Sequence, residues 1–91
     1  MNYSEQPSEF FKNKEILLLE DDLLLAKRVS SFLEKNGAEV THCQSLEEAI
    51  NAFEQLSYDI ALFDLNLPDG NSLELFRKGL IPENTSTVLM T

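Results

Sequence analysis

Apolar residues recur in two rhythms along this chain. Residues 14–20 (KEILLLE), 58–64 (YDIALFD) and 87–91 (TVLMT) are short apolar runs bounded by polar or turn residues. Runs of this kind fit strands covered on both faces, as in a parallel sheet. Residues 38–44 (AEVTHCQ) are more mixed and read as a weaker, edge-like strand. Between the runs the apolar spacing becomes helical. Leu25, Val29, Phe32 and Leu33 predict a first helix, with Asp22 as its N-cap and Gly37 as its stop. Leu46, Ala49, Ile50 and Phe53 predict a second, and Ser45 and Glu48 have capping-box spacing in front of it. Leu73, Phe76 and Leu80 predict a third over residues 71–80, with Gly79 near its end. Residues 81–86 form a loop before the last run.

Strands alternating with helices in the order β-α-β-α-β-α-β imply a parallel sheet with right-handed crossovers. In open sheets of this type, sites form beyond the carboxyl ends of the strands. Here those ends carry Glu20, Asp21 and Asp22, then Asp64, then Thr91. A buried run that ends in a carboxylate, as at Asp64, is costly unless the group is paired, hydrogen-bonded or bound to metal. Several carboxylates crowded together repel one another, and a divalent cation relieves the repulsion. Mg²⁺ suits the arrangement, because it takes oxygen ligands and uses one or two carboxylates plus a phosphate. A carboxylate is also a nucleophile toward phosphorus. Asp64 is placed to attack, and Thr91 offers a hydroxyl on the neighbouring strand.

Composition narrows the partners. With 91 residues the chain is one domain at most. Residues 1–13 read as a flexible leader, polar apart from Phe10 and Phe11. The net charge of -9 argues against nonspecific binding to nucleic acid or to an anionic membrane surface, and it is compatible with a cation site. Cys43 is the one cysteine, so no internal disulfide forms and a cytoplasmic setting fits best. No secretory signal or bilayer-spanning run is visible. His42 and Cys43 lack a third partner in the sequence and are read as structural. Asp22 and Ser45 are read as caps, and Glu47, Glu48 and Glu54 as a solvated helix face.

Taken together, "ILLLEDD", "DLNLPDG" and "VLMT" resemble the receiver domain of bacterial two-component response regulators, over residues 14–91. The resemblance implies an α/β, flavodoxin-like (CheY-like) three-layer sandwich with strand order 2-1-3-4-5, here incomplete, with four parallel strands and three helices. It implies that Asp64 accepts a phosphoryl group from a sensor histidine kinase and that Glu20 and Asp21 hold Mg²⁺ directly or through water. Asp64 belongs to the same metal site, and Asn66 matches the position whose backbone carbonyl ligates the ion. Thr91 matches the switch hydroxyl, and Pro68 and Gly70 shape the loop. Such a domain is a signalling switch rather than an enzyme, and its output is commonly transcription regulation by the full-length protein.

Two features depart from the family pattern. Ser72 stands where a Gly is usual. The fifth strand, the last helices and the lysine that pairs with the phosphoacceptor are also absent from these residues. A truncated receiver is therefore expected, its fourth strand an exposed edge. Homodimerisation through that edge or by domain swapping is the alternative function, as a phosphorylation-independent interaction module. A haloacid dehalogenase-type phosphohydrolase would need a second acid where Asn66 stands.

Overall fold

The computed structural model describes residues 9–90. Strand β1 (Glu15–Leu19) leads into helix α1 (Leu23–Lys35), strand β2 (Glu39–Cys43) and helix α2 (Leu46–Gln55). Strand β3 (Ile60–Asp64) follows, then two short strands, β4 (Asn66–Leu67) and β5 (Gly70–Asn71), helix α3 (Leu73–Arg77) and strand β6 (Ser86–Met90). The main sheet is parallel, in the order β2-β1-β3-β6. This is the order expected for the first four strands of the flavodoxin-like fold. The last strand begins at Ser86, one residue before its apolar run, and Thr91 falls outside the described residues.

β1 is central, and Ile16, Leu17, Leu18 and Leu19 are all fully buried. On one side of the sheet, Leu17, Leu19, Ala61 and Phe63 form a cluster with Leu46 and Ala49 of α2, Leu67 of β4 and Leu75 of α3. On the other, Ile16 and Ile60 pack with Leu33 of α1 and Ala38. Continuous apolar runs are thus explained by burial on both faces. β2 is an edge strand and only Cys43 in it is buried, which accounts for its mixed sequence.

The helices differ in detail from their apolar patterns. α2 follows its pattern: Leu46 and Ala49 are buried, and Ile50 and Phe53 pack against the same cluster. In α1, Ala26 and Leu33 are the buried residues, whereas Leu25 and Phe32 are exposed. Val29, partly buried, packs against the same cluster as Leu33, so the inward face of α1 is centred on Ala26, Val29 and Leu33. α3 is shorter than predicted and buries Leu75; Phe76, half-exposed, still sets its ring against that of the buried Phe63, centroids 6.0 Å apart, and Leu80 lies beyond the helix. Gly79, at φ +65°, ends it, with Gly79 N–H donating to Phe76 O and Leu80 N–H to Leu75 O. Residues 9–13 form a turn in which the Phe11 ring meets Phe32 of α1 edge-on, centroids 6.3 Å apart.

Candidate acidic site at the strand ends

Register brings the acids together. Leu19 of β1 pairs with Phe63 of β3, so Glu20 and Asp64 leave the buried core side by side. Ligand oxygens of Glu20, Asp21 and Asp64 all lie within 4.8 Å of one another. Glu20 is only 4% exposed, Asp64 is half-buried and Asp21 is exposed. No Lys or Arg among the described residues forms an ion pair with any of the three; the pair present joins Arg77 to Glu74 on α3. Burial raises the Glu20 carboxyl above its ordinary range, an N–H bond from Asp22 opposes this, and Asp64 and Asp21 push it further up. Three crowded carboxylates with no ion-pair partner among the described residues fit a divalent cation, as hard oxygen donors whose repulsion the cation removes.

Backbone groups hold the first acid in place. Glu20 N–H donates to Cys43 O at 3.0 Å, and the Glu20 carboxylate accepts from Asp22 N–H at 3.0 Å. Asp22 in turn caps α1, accepting from Leu24 N–H and Leu25 N–H, both at 3.1 Å. Its side chain is therefore committed to the helix, as the sequence suggests. Asn66 lies in β4, two residues past Asp64, where β4 pairs with β5 as a small antiparallel hairpin around Pro68 and Asp69. Gly70, at φ +139°, closes this hairpin, and a Cβ there would stand 3.0 Å from Leu46 Cδ1. The positive φ is the condition that calls for glycine, and the Leu46 side chain would have to give way slightly to any Cβ.

Three residues have roles that the sequence reading did not assign. Asp69 reaches from the hairpin to α2 and accepts from Leu46 N–H at 2.8 Å and Glu47 N–H at 3.1 Å. Those bonds, the one from Leu46 first, hold its carboxyl below the usual range. His42 places Nε2 2.6 Å from Glu20 O, so the histidine read as structural touches the backbone of the acidic site. Ser72 is fully buried in an ordinary helical conformation, and its Oγ has no hydrogen-bond partner. Its backbone does not need the family's glycine. The neighbouring Cys43 is a buried thiol, pushed up to about 11 by burial and then by the Glu48 charge, which makes it an inert core residue at neutral pH.

A parallel sheet in this order, with three acids at the ends of β1 and β3, can be compared with known proteins. The family model described as the response regulator receiver domain matches residues 16–91. The chain belongs to this family. The receiver is 42% identical over 65 residues to the transcriptional regulatory protein CrdR of Helicobacter pylori, covering 71% of this chain and 30% of that protein. It is 36% identical over 74 residues to the uncharacterized transcriptional regulatory protein YcbL of Bacillus subtilis, covering 81% of this chain and 32% of that protein. The receiver thus spans about a third of the length of these curated relatives. Among solved structures it is similar to a CheY-like receiver domain from Methylobacillus flagellatus. That match has a TM-score of 0.76 and 28% identity, over 86% of this chain and 69% of the other. The non-phosphorylated HemR receiver domain from Leptospira biflexa matches with a TM-score of 0.73 and 29% identity, over 85% of this chain and 64% of the other. Among the described residues, no helix of this receiver is long and apolar enough to cross a membrane.

Proposed function

We propose that Asp64 accepts a phosphoryl group from a sensor histidine kinase at a site that takes Mg²⁺, and that this switches a downstream output. The observation that carries the proposal is the gathering of Glu20, Asp21 and Asp64 with no paired cation among the described residues. Glu20 and Asp21 would hold the ion, with Asp64 and the Asn66 backbone carbonyl completing the protein's share. Bound there, the ion would neutralise charge on the phosphoryl group during transfer. Asp64 supplies the nucleophile. One of its carboxylate oxygens bonds to phosphorus as the bond from phosphorus to the kinase imidazole nitrogen breaks. The imidazole leaves with that electron pair. The resulting aspartyl phosphate adds charge and acceptor oxygens at the end of β3. Thr91 supplies the hydroxyl that meets them and biases a two-state loop.

In this reading the domain promotes its own phosphorylation but is a switch rather than an enzyme, and it works in the cytoplasm. Transcription regulation by the whole protein is the output, a choice supported by the names of the relatives CrdR and YcbL. With a net charge of -9, these residues leave nucleic-acid contact to other parts of that protein. The test is intact mass after incubation with a small phosphodonor and Mg²⁺. One phosphoryl adduct, absent without Mg²⁺ and absent in Asp64→Asn, is the expected result. A folded chain that takes no adduct would overturn the proposal.

One feature favours a second reading. β6 is an edge of the described sheet, and its Val88 and Leu89 are 49% and 42% exposed. Apolar edge strands pair with other chains, so the alternative is a homodimerising module that acts without phosphate. Sedimentation over a range of concentrations decides it: a dimer that forms regardless of phosphodonor supports this reading, and a monomer throughout removes it.

A further inference from the structure

The Glu20 carbonyl sits where the β1–β2 ladder stops. In that ladder Glu39 N–H donates to Lys14 O, and Glu20 N–H donates to Cys43 O. The next bond in a parallel ladder would run from Ser45 N–H to Glu20 O. Ser45, however, is the N-cap of α2, where the chain leaves the sheet. The His42 ring takes up the carbonyl instead, at 2.6 Å. A carbonyl can only accept, so Nε2 carries the proton and donates. Glu20 is thereby fixed at three groups: its N–H by Cys43 O, its carbonyl by His42 and its carboxylate by Asp22 N–H.

We infer that His42 is a positioning residue of the acidic site. Three carboxylates within 4.8 Å push the β1–α1 turn open, and the imidazole, anchored on β2, holds the turn closed from behind. Its bond goes to the backbone carbonyl, and it is not one of the clustered metal-binding side chains. By fixing the backbone of Glu20 it sets where that residue's carboxylate stands, much as supporting groups around a metal site set how well its ligands are presented. The inference rests on reading the cluster as a divalent cation site.

Calorimetric titration of MgCl₂ into the metal-free protein tests it, with wild type, His42→Ala, His42→Gln and Thr41→Ala compared at one pH. Loss of the ring is expected to weaken Mg²⁺ binding about 10-fold. Gln, whose side-chain N–H can reach the same carbonyl, recovers most of the loss, and Thr41→Ala on the same strand binds as wild type. A folded His42→Ala chain with wild-type affinity would overturn the role. So would an equal loss in Thr41→Ala, which would mean general damage to β2. Failure of the wild type to bind Mg²⁺ would instead overturn the cation reading itself. Should His42→Ala not fold, the wild-type ring decides the matter by NMR. A slowly exchanging Nε2–H resonance supports the bond, and a freely exchanging one contradicts it.

Discussion

Glu20 shows how a single residue can work against the fold that positions it. Its carboxyl is raised above the ordinary value of 4.5, burial first among the raising causes. The folded state therefore holds the proton more tightly than the unfolded chain does. Stability contributed by the protonated form is full below 4.5 and falls as pH rises through the raised folded value. In metal-free buffer, thermal melts should therefore show stability falling as pH rises through that window. Glu20→Gln should flatten the fall and be the more stable protein at neutral pH. Added Mg²⁺ should stabilise wild type at neutral pH and do little for the variant. Equal pH profiles for the two proteins would contradict this account of the site. The composition of the cluster was legible in "LLLEDD" and "LFDLN", because acids at the ends of apolar strands are conspicuous. The clamp from His42 was not, since it depends on a ladder stopping one bond early.

At the scale of elements, α2 shows how the site's loop is tied to the rest of the fold. Helix N-termini leave their first N–H groups without helical partners. Ser45 Oγ accepts from Glu48 N–H at 3.2 Å, and Asp69 accepts from Leu46 and Glu47 N–H. Ser45 and Glu48 were readable as a local pair three residues apart. Asp69 was not, because it lies 23 residues along the chain from its partner at Leu46 and looks like any turn acid. Asp69→Ala should cost about 1 kcal/mol, the usual worth of a cap, measured by urea unfolding. Its carboxyl is held below the ordinary 3.8, so its contribution is present above that value and is lost as pH falls through the lower folded value. The difference between wild type and Asp69→Ala should accordingly shrink in strong acid, the opposite trend to that of Glu20. A variant as stable as wild type at neutral pH would show that the hairpin–helix bond contributes nothing. The inward turn of Leu75 in α3 also escaped the sequence reading. A helix of five residues is too short for its apolar spacing to define a face.

For the whole molecule, the alternation of strands and helices was enough to give a parallel sheet, and the observed order β2-β1-β3-β6 agrees with it. Sheet register then does the chemical work. Pairing Leu19 with Phe63 sets Glu20 and Asp64 side by side, although 44 residues separate them in the chain. A shift of one residue would exchange the side chains that fill the two differently shaped cores, so the packing that holds the register also holds the site. The most direct test asks which residue carries the phosphoryl group. After reaction with a small phosphodonor and Mg²⁺, the protein is digested in acid and the modified peptide is located by tandem mass spectrometry. The modification should fall on Asp64, require Mg²⁺, and decline in Glu20→Gln and Asp21→Asn. A phosphoryl group on any other residue, or one that forms equally without Mg²⁺, would contradict the assignment of these three acids to one site.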